Sequence, residues 1–239
     1  MPATVNHLGQ PIGFAVPDWV PARLPPRTPM DGRWCRVEPL DPARHGAELF
    51  AAYAEDREGR NWTYMGYGPF ASLAEFEEWM TASCLGDDPL FHAVVEGASG
   101  RALGLASYLR AQPETGTIEV GHINYAPPLQ RTAAATEAMV LMMARVFEEL
   151  GTRRYEWKCD ALNAASRRAA ERLGFVFEGV FRQATLVKGR NRDTAWYAIL
   201  DRDWPALKAA YQTWLDPANF DAAGRQKTRL SELVAGTRA

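Results

Sequence analysis

The feature that most limits what this chain can fold into is a change of period around two adjacent prolines. Thr117–Tyr125 reads as a strand, and Pro127-Pro128 cannot continue it, because neither has an N–H for the ladder. From Thr132 to Leu150 the apolar residues Ala135, Met139, Met142, Val146 and Leu150 return every three or four positions, one face of a helix. Gly151 stands where a helix takes its left-handed terminal residue, and Arg153–Cys159 is strand-like again. A strand, a long helix and a strand in series imply a right-handed crossover, so the two strands lie parallel.

The flanking sequence adds antiparallel pieces. Arg33–Leu40 reads as a strand and Pro42–Ala54 as a helix, and Ser72 with Glu75 forms a capping box opening a helix to Ser83. Strands at about 90–96, 102–110 and 117–125 are separated by Gly/Pro/Ser turns. Downstream, Asn163 caps a shorter helix that Gly174 closes. A hairpin of 175–188 and 192–200 turns across Gly189-Arg190-Asn191, and a helix covers 203–214. The class is α/β with a mixed (α+β) sheet. Residues 1–30 hold seven of the 16 prolines, so they should run extended over the body, pinned by Phe14 and Trp19. The expected division is a Pro-rich extension (1–32), a single domain (33–215) and a polar C-terminal tail (216–239).

Charge narrows the partners. Lys and Arg number 27 against 29 Asp and Glu, a net charge of −2 that argues against a wholesale nucleic-acid binder. The balance is uneven: residues 1–150 carry 11 basic and 19 acidic groups, residues 151–192 carry 10 and 4. Such a local excess is either a focused anion site or a solvated basic face. No run of about 18 apolar residues predicts a membrane span. The N-terminus lacks a signal-peptide pattern, so a cytoplasmic location is expected. Cys35, Cys84 and Cys159 form no C-x-x-C pair, so reduced thiols and no metal site are expected.

The chemistry concentrates where the strands end. After Pro127-Pro128 the helix opens with Arg131 and three alanines, Ala133, Ala134 and Ala135. First-turn N–H groups have no intrahelical partner and sit at the positive end of the helix dipole. With no side chains in the way, they can cradle a phosphate; small residues for close packing explain the same letters. There is no G-x-x-x-x-G-K-[ST], and Gly66-Tyr-Gly68-Pro-Phe-Ala71 lacks the strand that a dinucleotide fingerprint needs. The second helix N-terminus, Asn163 with Ser166, should open on the same sheet edge. Two such openings side by side suit a pyrophosphate with a long arm.

Gln130-x-x-Ala-x-Ala135, then Asn163-x-x-Ser166 and Gly174-Phe175, resemble the acetyl-CoA signatures of the GNAT superfamily. Thr136-Glu137-Ala138 and Glu178-Gly179 are similar to the RimJ/RimL type. The resemblance implies a GNAT-like acyl-CoA N-acyltransferase fold, antiparallel N-terminal strands joined to a parallel β-α-β crossover. It places the pantetheine arm along Ile123 and Tyr125. The pyrophosphate falls on the N–H groups of Arg131, Thr132, Ala133, Ala134, Ala135 and Thr136, and the rest of CoA on Asn163 and Arg167. Two positions depart from the pattern: Ala133 replaces the usual cradle glycine, and Ala170 replaces a tyrosine that protonates the leaving thiolate, which leaves Ser166 for that role.

The implied activity is acetyl transfer from acetyl-CoA to a primary amine, protein N-terminal or small-molecule, by direct attack through a tetrahedral intermediate. No metal is needed. The base is His122, Glu119 or a water relay; strict strand alternation sends the two side chains to opposite faces, so only one should reach the cleft. Trp62, Tyr64 and Tyr67 form the expected aromatic lid over the acceptor. The alternative is a non-catalytic CoA-binding regulatory module, and a homodimer is left open. On this resemblance the basic excess of 151–192 is in part a CoA site.

Overall fold

The computed structural model describes residues 4–237. A small hairpin, β1 (Thr4–Val5) with β2 (Pro11–Ile12), precedes the body. The body is an eight-stranded sheet in the order β3-β4-β5-β6-β7-β8-β10-β9. Its strands are β3 (Met30–Asp31), β4 (Cys35–Pro39), β5 (Leu90–Glu96), β6 (Ala102–Gln112), β7 (Thr117–Tyr125), β8 (Arg154–Asp160), β9 (Val176–Val187) and β10 (Arg190–Leu200). Every pairing in it is antiparallel except β7 with β8, the predicted crossover.

Six helices connect and cover the sheet: α1 (Pro42–Tyr53), α2 (Leu73–Ser83), α3 (Ala133–Ala144), α4 (Ala164–Arg172), α5 (Trp204–Leu215) and α6 (Leu230–Gly236). Ser72 caps α2 through the Glu75 N–H as the capping box requires. The predicted apolar face of α3 is buried along its length, and after Ala144 the chain widens into a π turn, Arg145–Glu149, that carries Val146 into the core. α3 packs against β3, β4, β5 and α5, which makes it the central helix. No helix among the described residues is long and apolar enough to cross a membrane.

The N-terminal extension is fastened more firmly than its prolines suggest. Trp19 donates to the Glu114 carbonyl at 2.9 Å, under the Arg153 guanidinium, and lies so close to Gly116 that a Cβ there would sit 2.3 Å from its ring. Phe14, expected as a second pin, is 48% exposed and holds nothing. Two buried charges do the work instead. Arg145 donates to the Thr28 and Pro29 carbonyls, and Glu137 accepts the N–H groups of Arg33, Trp34 and Cys35 at 2.9, 2.6 and 2.9 Å. Each is a charge-assisted bond to backbone that would otherwise be buried unpaired. At the other end, the segment expected as a polar tail folds back: α6 seats Leu230 and Val234 in the core against α5 and α4. The hairpin turn is also tighter than expected, Lys188-Gly189, both with positive φ, so β10 begins at Arg190.

Candidate active site

The site begins where two parallel strands part. β7 and β8 pair from Thr117–Arg154 to Val120–Trp157 and no further. Just beyond, β7 bulges: between the pairs Leu105–Asn124 and Ser107–Gly121 it holds two residues, His122 and Ile123, against Ala106 alone. His122 sits at φ 50°, in the left-handed region, as a bulge residue can. The bulge resets the strand's alternation. Glu119 and His122, expected on opposite faces, therefore both line the cavity of about 660 Å³ that opens in the fork.

They are differently employed there. Glu119 is buried, takes the Arg110 guanidinium on both oxygens at 2.9 Å, and receives Lys158 Nζ at 2.8 Å. Lys158 also meets Glu156 at 2.7 Å and lies 3.9 Å from the centre of the Trp196 ring. Three charged bonds therefore converge on this one carboxylate. His122 has no carboxylate partner. Its ring stacks on Tyr67, and its Nδ1 lies 3.1 Å from the Tyr67 hydroxyl. Burial, then the Arg110 and Arg192 charges, lower its pKa to about 4, so it stands neutral at neutral pH. In the tautomer that donates Nδ1–H to the Tyr67 oxygen, Nε2 keeps a lone pair for a proton; with the Tyr67 hydroxyl as donor, Nε2 carries the hydrogen instead.

Ser166 lies across the fork on α4. Asn163 caps that helix by accepting the Ser166 N–H at 3.0 Å, and both residues line the cavity. The Ser166 hydroxyl accepts Trp157 Nε1–H at 3.0 Å, which leaves its own proton to donate, with the Cys159 sulfur as one acceptor. It also sits beside the Cys159 thiol and pulls that group's pKa down against the larger upward push of burial. Ile123 lines the same space.

The helix mouth at α3 is formed mostly by backbone. Arg131 turns the chain with φ 64°, and Thr132 is the N-cap, its hydroxyl accepting the Ala135 N–H at 3.1 Å. α3 therefore starts at Ala133 rather than Thr132, and the Ala135 N–H is already taken. Ala133 and Ala134, the first two helical residues, present the N–H groups with no side-chain cap. Thr136 is turned inward, where its hydroxyl accepts from Arg172 at 3.1 Å. Gln130 does not reach outward either: with Asn61 it donates to the Tyr125 carbonyl, at 2.7 and 2.9 Å. These two side chains hold the end of β7 in place. The Tyr125 hydroxyl is buried without a partner, so this residue offers the site only backbone. Arg167, expected against the cofactor, instead donates to the Tyr197 hydroxyl at 2.9 Å and the Ala161 carbonyl at 3.3 Å.

The acceptor side is built from two distant segments. Tyr64 and Tyr67 line the cavity from the loop between α1 and α2; Tyr64 reaches across it to donate to the Leu162 carbonyl at 3.2 Å. Trp62 does not face the cavity. It is 4% exposed and packs edge-on against Tyr53, Tyr67 and Phe70, a core residue beneath the loop. The opposite wall is the β9–β10 hairpin, whose tip is tied to the same loop: Lys188 Nζ donates to the Trp62 carbonyl at 2.9 Å and the Gly68 carbonyl at 2.7 Å. Sequence reasoning missed this bridge, because 120 residues separate its ends and a hairpin lysine looks like any solvated charge. Much of the basic excess also serves internally, as Arg154 and Lys158 are bound by Glu156, Glu178 and Glu119. No group of three His, Cys, Asp or Glu side chains positioned for a metal occurs among the described residues.

Known proteins share this fold. The model of the acetyltransferase (GNAT) domain matches residues 36–176. The chain superimposes on a GCN5-related N-acetyltransferase from Brucella melitensis with a TM-score of 0.90 and 50% identity, covering 92% of this chain and 100% of that one. A probable acetyltransferase of the GNAT family from Chromobacterium violaceum follows at 0.76 and 41%, covering 82% and 98%. Among curated proteins, Bacillus subtilis "Putative ribosomal N-acetyltransferase YdaF" is 34% identical over 73 residues, 30% of this chain and 40% of that protein's length.

Proposed function

The chain belongs to the GNAT acetyltransferase family, and from that premise we propose that it moves the acetyl group of acetyl-CoA to a primary amine by direct attack. The observation that carries this reading is the fork itself: strands that part after Val120 and Trp157, with a neutral histidine on one strand and a serine hydroxyl, from the helix that follows the other, lining the same cavity. The residues present fit the co-substrate. The bare Ala133 and Ala134 N–H groups meet a pyrophosphate, with the Arg131 backbone turned to open them. The open strand edge at Ile123 receives a peptide-like arm.

Acetyl-CoA, when bound, supplies an activated acyl group on a thiol whose pKa of about 8.5 makes it a ready leaving group. His122 Nε2 removes a proton from the attacking nitrogen as its bond to the acetyl carbon forms. Its low pKa suits the acidic N–H of a nitrogen that has already attacked, rather than a free ammonium group. Ser166 donates its proton to the sulfur as the carbon–sulfur bond breaks, and is replenished from water. Glu119 serves as the counter-charge that fixes Arg110 and Lys158 on the cavity wall. The acceptor is a primary amine of a protein N-terminus or a small molecule, and the name of the Bacillus relative speaks for the first.

Two measurements test this. Acetyl-CoA should raise the unfolding temperature where NAD and ATP do not; no stabilisation overturns cofactor use. Thiol release should then appear with some member of an amine panel that includes peptide N-termini. Stabilisation without release on any acceptor overturns catalysis.

A further inference from the structure

One cation on the cavity wall forms no ion pair with any described residue. Arg192, in the second strand of the hairpin, lines the cavity together with Thr194 and Trp196 at the two-residue spacing of one strand face. Its Nε is buried with no hydrogen-bond partner, and it enters no ion pair with any described residue. Of the other charged groups lining this space, Asp160 alone also lacks a countercharge among the described residues. Arg110 and Lys158 are held by Glu119 and Glu156, and Asp160 Oδ1 accepts the Leu162 N–H at 2.8 Å. A second buried donor, Trp196 Nε1, likewise lacks an acceptor. Leaving a charged donor desolvated and unpaired is unfavourable, and a guanidinium fork matches the two oxygens of a carboxylate or phosphate.

The residues proposed to meet the CoA pyrophosphate, Arg131, Ala133 and Ala134, lie outside the cavity. Arg192 shares it with His122 and the tyrosines of the acceptor loop, and with Ile123, Asn163 and Ser166 on the thioester side. Resting on the acetyl-transfer reading above, we infer that the acceptor amine carries an oxyanion, a carboxylate or a phosphate, which Arg192 binds while the amine is presented to His122. Both groups line one cavity of about 660 Å³, the space in which a single small acceptor would have to meet them.

Matched acceptors test this: an amino acid against its amide, phosphoethanolamine against ethanolamine, and a Ser-Asp peptide against Ser-Asn, each with the full chain and acetyl-CoA. In at least one pair the anionic member should have a kcat/KM tenfold or more above its neutral partner. The three pairs separate a free carboxylate, a phosphate and an acidic peptide as the source. In Arg192→Gln that ratio should collapse toward one, chiefly through KM, and Arg192→Lys should restore part of it. Equal ratios in the wild type, or a ratio unmoved by Arg192→Gln, overturn the inference. If no amine is acetylated at all, the acetyl-transfer reading fails separately. The pocket is then read directly by titrating glutarate and inorganic phosphate against tryptophan fluorescence, since Trp157 and Trp196 line the cavity. Saturable quenching lost in Arg192→Gln supports an oxyanion site, and no saturable quenching in the wild type overturns it.

Discussion

The two sides of the fork are made of different material. The donor side, at the N-termini of α3 and α4, is largely backbone: N–H groups exposed by alanines, a left-handed Arg131, and caps from Thr132 and Asn163. The acceptor side is almost entirely side chains, brought from a loop near residue 65 and a hairpin near residue 190 and joined by Lys188. A site of backbone groups depends on a short run of sequence, and what it cannot tolerate is a change that removes an N–H or fills the space before it. A site of side chains from distant segments can be remade without touching the donor side, so one cofactor can serve many acceptors.

Three substitutions press on that difference. The largest effect belongs to the side-chain half. His122→Gln should lower kcat about 100-fold, as expected for loss of a general base, in a thiol-release assay at saturating substrates; unchanged kcat would hand the role to water. The wild-type profile carries the matching signature. Because the pKa of His122 is lowered to about 4, it remains unprotonated as pH falls through its ordinary range. The acid limb of kcat should therefore lie near pH 4 instead of about 6.5. Burial sets it first, then the charges of Arg110 and Arg192; Tyr67 and Glu119 are further titratable groups on the cavity wall.

Ala133→Pro comes next and addresses the backbone half alone. Proline is accepted at the first helical position, and Thr132 is already extended (φ −94°, ψ 167°), so the helix should survive while one cradle N–H is lost. Calorimetry should show CoA binding weakened about tenfold, the weight of one hydrogen bond to a charged group, with the acceptor KM little moved. An unaltered CoA affinity would remove Ala133 from the cradle. Ser166→Ala should have the smallest effect, a fall in kcat of about tenfold or less because the thiolate departs readily, with CoA affinity retained. If kcat does not change, Ser166 has no part in the proton transfer.

The same division explains what could be read from sequence. The crossover, the three strands before it and the caps at Ser72 and Asn163 were legible because local periodicity and cap chemistry determine them within a few residues. Thr132, by contrast, reads as part of the cradle and is a cap in the fold. The bulge at His122 was not, since nothing in Gly121-His122-Ile123 marks an extra residue until β6 supplies the register. Trp62 looked like a lid because loop aromatics often are one; only the rings of Tyr53 and Phe70 around it reveal a core position. Arg192 looked like one more hairpin charge. What distinguishes it is the absence of a partner, and that property belongs to the folded surroundings rather than to the residue.

The Lys188 bridge sets a timescale. Two bonds from one ammonium span the gap between hairpin tip and loop, bracketing the tyrosines that line the cavity. Undoing them requires a single side chain to change rotamer and regain water, an event of nanoseconds rather than the microseconds of a loop rearrangement. The passage between hairpin and loop is thus latched by a part that moves faster than any turnover it would need to keep pace with.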